Sequence, residues 1–151
     1  MNNQMKLEFL SLAENVALAR VTIASFASQL DFTLTDLEEI KVAVSEGVSN
    51  SIIHGYGNQP DGTVRVIASI SGDTLELRIE DDGKGIEDIP QALQPAFSTE
   101  PDRMGLGFVF MQSFMDQFQV TSEPGRGTRV FMVKKQIVHE GGVDKVQGLE
   151  G

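Results

Sequence analysis

One stretch limits what this chain can become. Wound at about 100° per residue, Leu37, Ile40, Val44, Val48 and Ile52 form a single apolar stripe, and Glu46 and Asn50 fall nearly opposite it. A helix with such a stripe must bury it against a second layer. The polar pair is four residues apart, so its carboxylate and carboxamide stand one above the other on one face. That face is either solvated or part of a ligand site roofed by something later in the chain. Asparagine in mid-helix does nothing for the helix itself, which favours the site reading at Asn50.

The second layer reads as strands. Residues 5–10 alternate apolar and polar, as do Val64, Val66, Ala68, Ile70 and then Leu75, Leu77, Ile79, with Ser71-Gly72-Asp73 as a hairpin turn. Before the hairpin come two helices. Ser11 and Glu14 have capping-box spacing, and Val16, Ala19, Ile23, Phe26, Ala27 and Leu30 follow the helical period for about four to five turns. Thr35 and Glu38 repeat that spacing and predict the start of the second helix, which ends at Gly55-Tyr56-Gly57-Asn58. Arg20 lies off the first helix's stripe. It is a solvated arginine or the centre of a weakly charged partner patch.

After the hairpin the chain turns irregular. Asp81-Asp82-Gly83-Lys84-Gly85 is an acidic pair with two glycines two apart, a backbone that turns tightly or lets a ligand come close. Residues 87–104, with Pro90, Pro95 and Pro101, read as a long loop, and such loops are functional lids or disordered. Gly105-x-Gly107 opens a third helix with Phe108, Met111, Met115 and Phe118 on one face. Glycine there brings anions near free N–H groups or merely packs a turn. Residues 118–122 and 128–133 form a last hairpin, and 137–151 read as a poorly ordered tail beyond a domain at 1–136.

Composition excludes several functions. The net charge of −10 repels phosphate backbones, so direct nucleic-acid binding is not expected. The chain has no cysteine and two histidines, which removes thiolate and multi-histidine metal sites. No apolar run reaches membrane-spanning length and the N-terminus has no secretion-signal pattern, so a cytoplasmic protein is expected.

In order, the chain presents Glu46-x-x-x-Asn50, Asp81-x-Gly83-x-Gly85, Gly105-x-Gly107 and Gly127-Thr128. This layout resembles the Bergerat-type ATP-binding domain shared by gyrase, a class of heat-shock chaperones, the MutL mismatch-repair proteins and histidine kinases. Within it, Ala19-Arg20-Val21-Thr22, Ser45-Glu46 and Asn50-Ser51-Ile52-Ile53-His54-Gly55-Tyr56 are similar to the small serine kinases that act as anti-sigma factors, the sporulation group in particular. The likeness covers about residues 5–135. It implies an α+β two-layer sandwich with a mixed, mostly antiparallel sheet and three main helices on one face. It implies ATP or ADP as ligand, with Mg²⁺ held by Asn50. Asp81 would accept from the adenine amino group, with Gly83 and Gly85 letting the base approach and Thr128 supporting it. Gly105 and Gly107 would face the phosphates. Glu46 would take the proton from an attacking serine, although the same carboxylate could activate water or order Mg²⁺. Arg20 would meet a sigma factor and its anti-anti-sigma antagonist, on a chain expected to form a homodimer. Lys84 and Arg103 are expected to be solvated, and His54 to cap or pack its helix end.

The resemblance leaves other functions open: a general-stress anti-sigma kinase, or a nucleotide-gated binding module with no kinase activity. The catalytic half of a histidine kinase is disfavoured, because neither histidine sits in a phospho-acceptor hairpin. A gyrase- or MutL-like ATPase is disfavoured too, for want of a transducer domain.

Overall fold

The computed structural model describes residues 1–94 and 104–137. Its elements are β1 (Asn2–Leu10), α1 (Asn15–Ala27), α2 (Leu34–Asn50), a π-helical turn (Ser51–Gly55), β2 (Thr63–Ser71), β3 (Thr74–Asp81), a single turn α3 (Ile89–Ala92), α4 (Met104–Phe114), β4 (Gln117–Glu123) and β5 (Gly127–Lys135). The α+β sandwich expected from the sequence is what forms. The strand order is β1-β2-β3-β5-β4.

One part of that expectation is corrected. The sheet is not mixed: among the described strands all four pairings are antiparallel. The connections explain this. Two successive helices carry the chain from the end of β1 back to the same end of the sheet, so β2 must run against β1. Strand β4 does run parallel to β3, but it lies one place away, and β5 fills the gap between them.

Both helix starts differ from the sequence expectation. The second helix is capped by Thr33, not Thr35: Asp36 N–H donates to Thr33 Oγ1 (3.0 Å) and Thr33 N–H donates to Asp36 Oδ2 (3.1 Å). Ser11 caps nothing. Its hydroxyl donates to the Gln59 carbonyl (2.5 Å) and accepts from Gly62 N–H (3.0 Å), pinning the turn before β2 to the end of β1. Helix α1 therefore starts later, at Asn15. It also stops early, at Ala27, where the Ser28 hydroxyl bonds back to the Ser25 carbonyl (2.7 Å) and competes with the helical ladder.

The core lies between the helices and one sheet face. Ile40, Val44, Val48 and Ile52 are buried as the stripe required, and Leu37 packs at its margin. Val66, Leu77, Ile79 and Met132 meet them from the sheet, with Phe108 and Met111 from α4. Phe108 and Phe118 pack with ring centres 5.7 Å apart, so the helix-to-strand handover keeps the aromatic face intact. Lys134 is buried but paired: its Nζ donates to Glu39 Oε1 (2.9 Å) and to the Phe114 carbonyl (2.5 Å), tying β5 to α2 and to the end of α4. The opposite sheet face is charged. Arg65, Glu80 and Arg129 face each other across three strands, and Arg65 also forms a bidentate pair with Asp82 at 3.0 and 3.1 Å. No described helix is long and apolar enough to cross a membrane. Arg103 and the tail expected at 137–151, apart from Ile137, lie outside the described residues, as does most of the 87–104 loop beyond α3.

Candidate functional site

The C-terminal half of α2, the π-helical turn, the end of β3 and the start of β5 enclose one pocket. Its lining includes Asn50, Ser51, Gly55, Asp81, Gly85 and Thr128, with Ile86, Phe108 and Val130 as its apolar side. Residues separated by more than seventy positions in sequence thus converge, as the order of motifs predicts.

Asp81 is the most constrained of them. It ends β3, is 4% exposed, and accepts from the Gly83 N–H (2.9 Å), the Ser51 hydroxyl and the Thr128 N–H. Burial pushes its carboxyl above the ordinary aspartate value, and those three donors pull it partly back. Ser51 reaches Asp81 because the helix widens into a π turn after Asn50, closed by Tyr56 N–H to the Ser51 carbonyl (3.0 Å). The turn docks on the glycine loop, where Lys84 N–H donates to the Gly55 carbonyl (2.9 Å).

The two loop glycines differ. Gly83 packs against the Gly55 carbonyl, so a side chain is excluded there by the protein's own backbone. Gly85 has φ +78° and lies against the Glu123 carbonyl, while also lining the pocket. Gly125 N–H donates to the Lys84 carbonyl (2.7 Å) and Ile86 N–H to Ser122 Oγ (2.8 Å), so the β4–β5 turn holds the loop in place. Lys84 itself is exposed, as expected.

Glu46 and Asn50 are half-buried and face α4. A Cβ on Gly107 would stand 2.9 Å from Glu46 Oε1 and 3.4 Å from Asn50 Nδ2, so glycine is what lets the helix come this close. Asn50 Nδ2 is buried with no hydrogen-bond partner. An orphaned amide end at a pocket wall is a group waiting for a ligand or water. Gly105 serves a different contact: it packs on the chain after α3, where a Cβ would lie 2.5 Å from the Gln94 carbonyl.

Arg20 lies outside this pocket. It is half-buried, and its Nη1 donates to Ser45 Oγ (3.0 Å), which in turn donates to the Lys41 carbonyl (2.8 Å). It is therefore neither freely solvated nor part of the pocket, but it bonds to the residue next to Glu46. Leu18 and Val21 beside it are exposed. His54 lines the pocket at the helix end.

Sequence reasoning missed Ser51, Ser122 and Tyr56. The Tyr56 hydroxyl donates to the Thr63 carbonyl (2.6 Å) and accepts from Asp82 N–H (2.7 Å), and burial raises its pKa. Its signal was present: a lone tyrosine directly after the helix-stopping glycine.

Residues 9–134 match the histidine kinase-like ATPase domain model. Curated anti-sigma F factors align over nearly their whole length. That of Clostridium kluyveri is 51% identical over 135 residues, covering 88% of this chain and 94% of that protein. That of Anoxybacillus flavithermus is 48% identical over 136 residues, covering 89% and 93%. The chain belongs to the anti-sigma F factor family of histidine kinase-like ATPases. A histidine kinase-like ATPase domain implies binding of ATP or a related nucleotide. A crystal structure of the RsbU and RsbW domains of a Mycobacterium tuberculosis protein has the same fold, with TM-score 0.63 at 15% identity over 91% of this chain and 34% of that one.

Proposed function

We propose that this protein is an ATP-dependent protein serine kinase that holds a sporulation sigma factor and phosphorylates that factor's anti-anti-sigma antagonist. The observation that carries the proposal is the pairing, within one pocket, of a buried hydrogen-bonded carboxylate at Asp81 with the unpartnered amide end of Asn50. Asp81 keeps acceptor capacity for the amino group of adenine, and Thr128 supports the base from the facing strand. Asn50 stands where the phosphate end would lie, next to Gly107 and Glu46.

Mg²⁺ fits this donor set. A carboxamide that can turn its oxygen outward, with a carboxylate one helical turn away, supplies hard oxygen ligands. Among the described residues no cluster of three or more His, Cys, Asp or Glu could hold a metal alone, so phosphate oxygens and water would complete the shell. When bound, the ion would offset charge on the phosphates.

The protein's own part in transfer falls to Glu46. The partner's serine oxygen bonds to the γ-phosphorus, the bond from that phosphorus to the ADP oxygen breaks, and Glu46 takes the serine proton. Arg20, with exposed Leu18 and Val21, forms the surface for the two protein partners, and the active unit is a homodimer. The sporulation assignment, rather than general stress, rests on the names of the relatives.

A pull-down from extract of the native organism, with ATP or ADP present, tests the partner reading. Retention of a sigma factor and of a small antagonist protein in nucleotide-dependent amounts is expected. Recovery of neither under both conditions would overturn it.

A further inference from the structure

Ser122 sits opposite Thr128 across the β4–β5 ladder, with one further acceptor and one further donor within hydrogen-bond reach. Ser122 Oγ lies 2.8 Å from Ile86 N, 2.9 Å from the Gly127 carbonyl oxygen and 2.9 Å from Thr128 Oγ1. A serine hydroxyl has one proton and two lone pairs. The Gly127 carbonyl can only accept, so it takes the Ser122 proton. The Ile86 N–H can only donate, so it takes one lone pair. The contact with Thr128 still needs a proton, and the only one left is Thr128's own. Thr128, 9% exposed and lining the pocket, therefore directs its proton to Ser122 and keeps only lone pairs for a ligand. Asp81, which accepts from the Thr128 N–H, is also an acceptor toward the pocket.

We propose that Ser122 is a specificity-determining positioning residue: by holding the Thr128 hydroxyl proton, it makes the Asp81–Thr128 end of the pocket, away from Asn50, accept hydrogen bonds only. The pocket then selects a purine with a 6-amino group, which brings two N–H donors, and rejects a 6-oxo purine, whose carbonyl would face oxygen lone pairs. A buried polar group left without a complementary partner is the strongest basis for such rejection. Ser122 touches no ligand in this scheme and acts through Thr128. The inference rests on the nucleotide reading of the pocket and adds the origin of its base preference.

The test is calorimetric binding of ADP and of inosine diphosphate, which differs by the 6-oxo group, to the wild type, Ser122→Ala and Ser122→Thr. Freeing the Thr128 hydroxyl in Ser122→Ala should lower the ADP-over-IDP preference by roughly tenfold, with Ser122→Thr restoring it. A merely structural role would weaken both nucleotides by the same factor. That result, or an unchanged preference, overturns the proposal. Should Ser122→Ala fail to fold, Ser122→Cys keeps the volume with a weak acceptor and carries the same expectation. Wild-type protein that binds neither nucleotide would overturn the nucleotide reading itself, a failure distinct from an unaltered ratio.

Discussion

Gly107 stands at the closest approach of α4 to the polar pair on α2. Replacing it with alanine places a methyl 2.9 Å from Glu46 Oε1 and in contact with the Asn50 amide. The carboxylate end is flexible and gives way, while alanine in mid-helix favours the helix by up to about 1 kcal/mol. Gly107→Ala should therefore keep or raise the unfolding temperature while slowing phosphate transfer about tenfold or more, because a displaced base is poorly aligned. A fall in both would mean that Gly107 serves packing alone. Asp81 makes a pH prediction. Its carboxyl pKa is raised in the folded protein above the ordinary 3.8, so between those two values the native state binds more protons than the unfolded chain. This group's contribution to stability is present at low pH and is lost as pH rises through the raised value. Denaturant titrations of the unliganded wild type should gain on Asp81→Asn as pH is lowered toward 4, and a flat difference would contradict the buried-carboxylate account. Asn50 and Asp81 were legible in the sequence because each breaks a local pattern: an asparagine inside a helix, an aspartate ending an apolar strand. Ser51 and Ser122 break none. Their roles arise from partners 30 and 36 residues away in chain, which only the docking of the π-helical turn and of the glycine loop onto the sheet brings together.

Helix α2 carries the site, and its start shows how element boundaries escape a pattern. Thr33-x-x-Asp36 and Thr35-x-x-Glu38 have the same spacing and overlap. Packing decides between them. With Thr33 as cap, Phe32 and Leu37 take the two positions of a hydrophobic staple, and both belong to or pack on the core. Thr33→Ala should then cost about 1 kcal/mol, lowering the unfolding midpoint by roughly 2–4 °C, while Thr35→Ala changes it little. The reverse ranking in a thermal melt would restore the Thr35 cap. At the other end of α2, the glycine-tyrosine stop was readable, but the π turn was not. It depends on the Gly55 carbonyl meeting Lys84 N–H, a contact between segments that no helical period encodes.

At the scale of the molecule, the layers followed from amphipathic patterning, since every apolar stripe needed a partner. The purely antiparallel sheet did not follow, because strand order depends on how two helices and a crossover return the chain. One face of this sheet holds the helices and the pocket, and the other is a charged ladder of Arg65, Glu80 and Arg129. Because the pocket is assembled from α2, β3 and β5 together, a ligand there should stabilise the whole fold. ADP at 100 times its dissociation constant adds about 2.7 kcal/mol, which corresponds to a rise of roughly 5–10 °C in a thermal melt. The absence of any rise would mean that the pocket takes no nucleotide. The claim that this pocket is a kinase centre rests on Glu46. The measurement that addresses it most directly is transfer of labelled phosphate from ATP to the purified antagonist protein by wild type and by Glu46→Ala, with ADP affinity measured on both. The account predicts ADP binding within about threefold of wild type and transfer slowed by at least 10²-fold, on the order of what a positioned base contributes. Undiminished transfer by Glu46→Ala would contradict it.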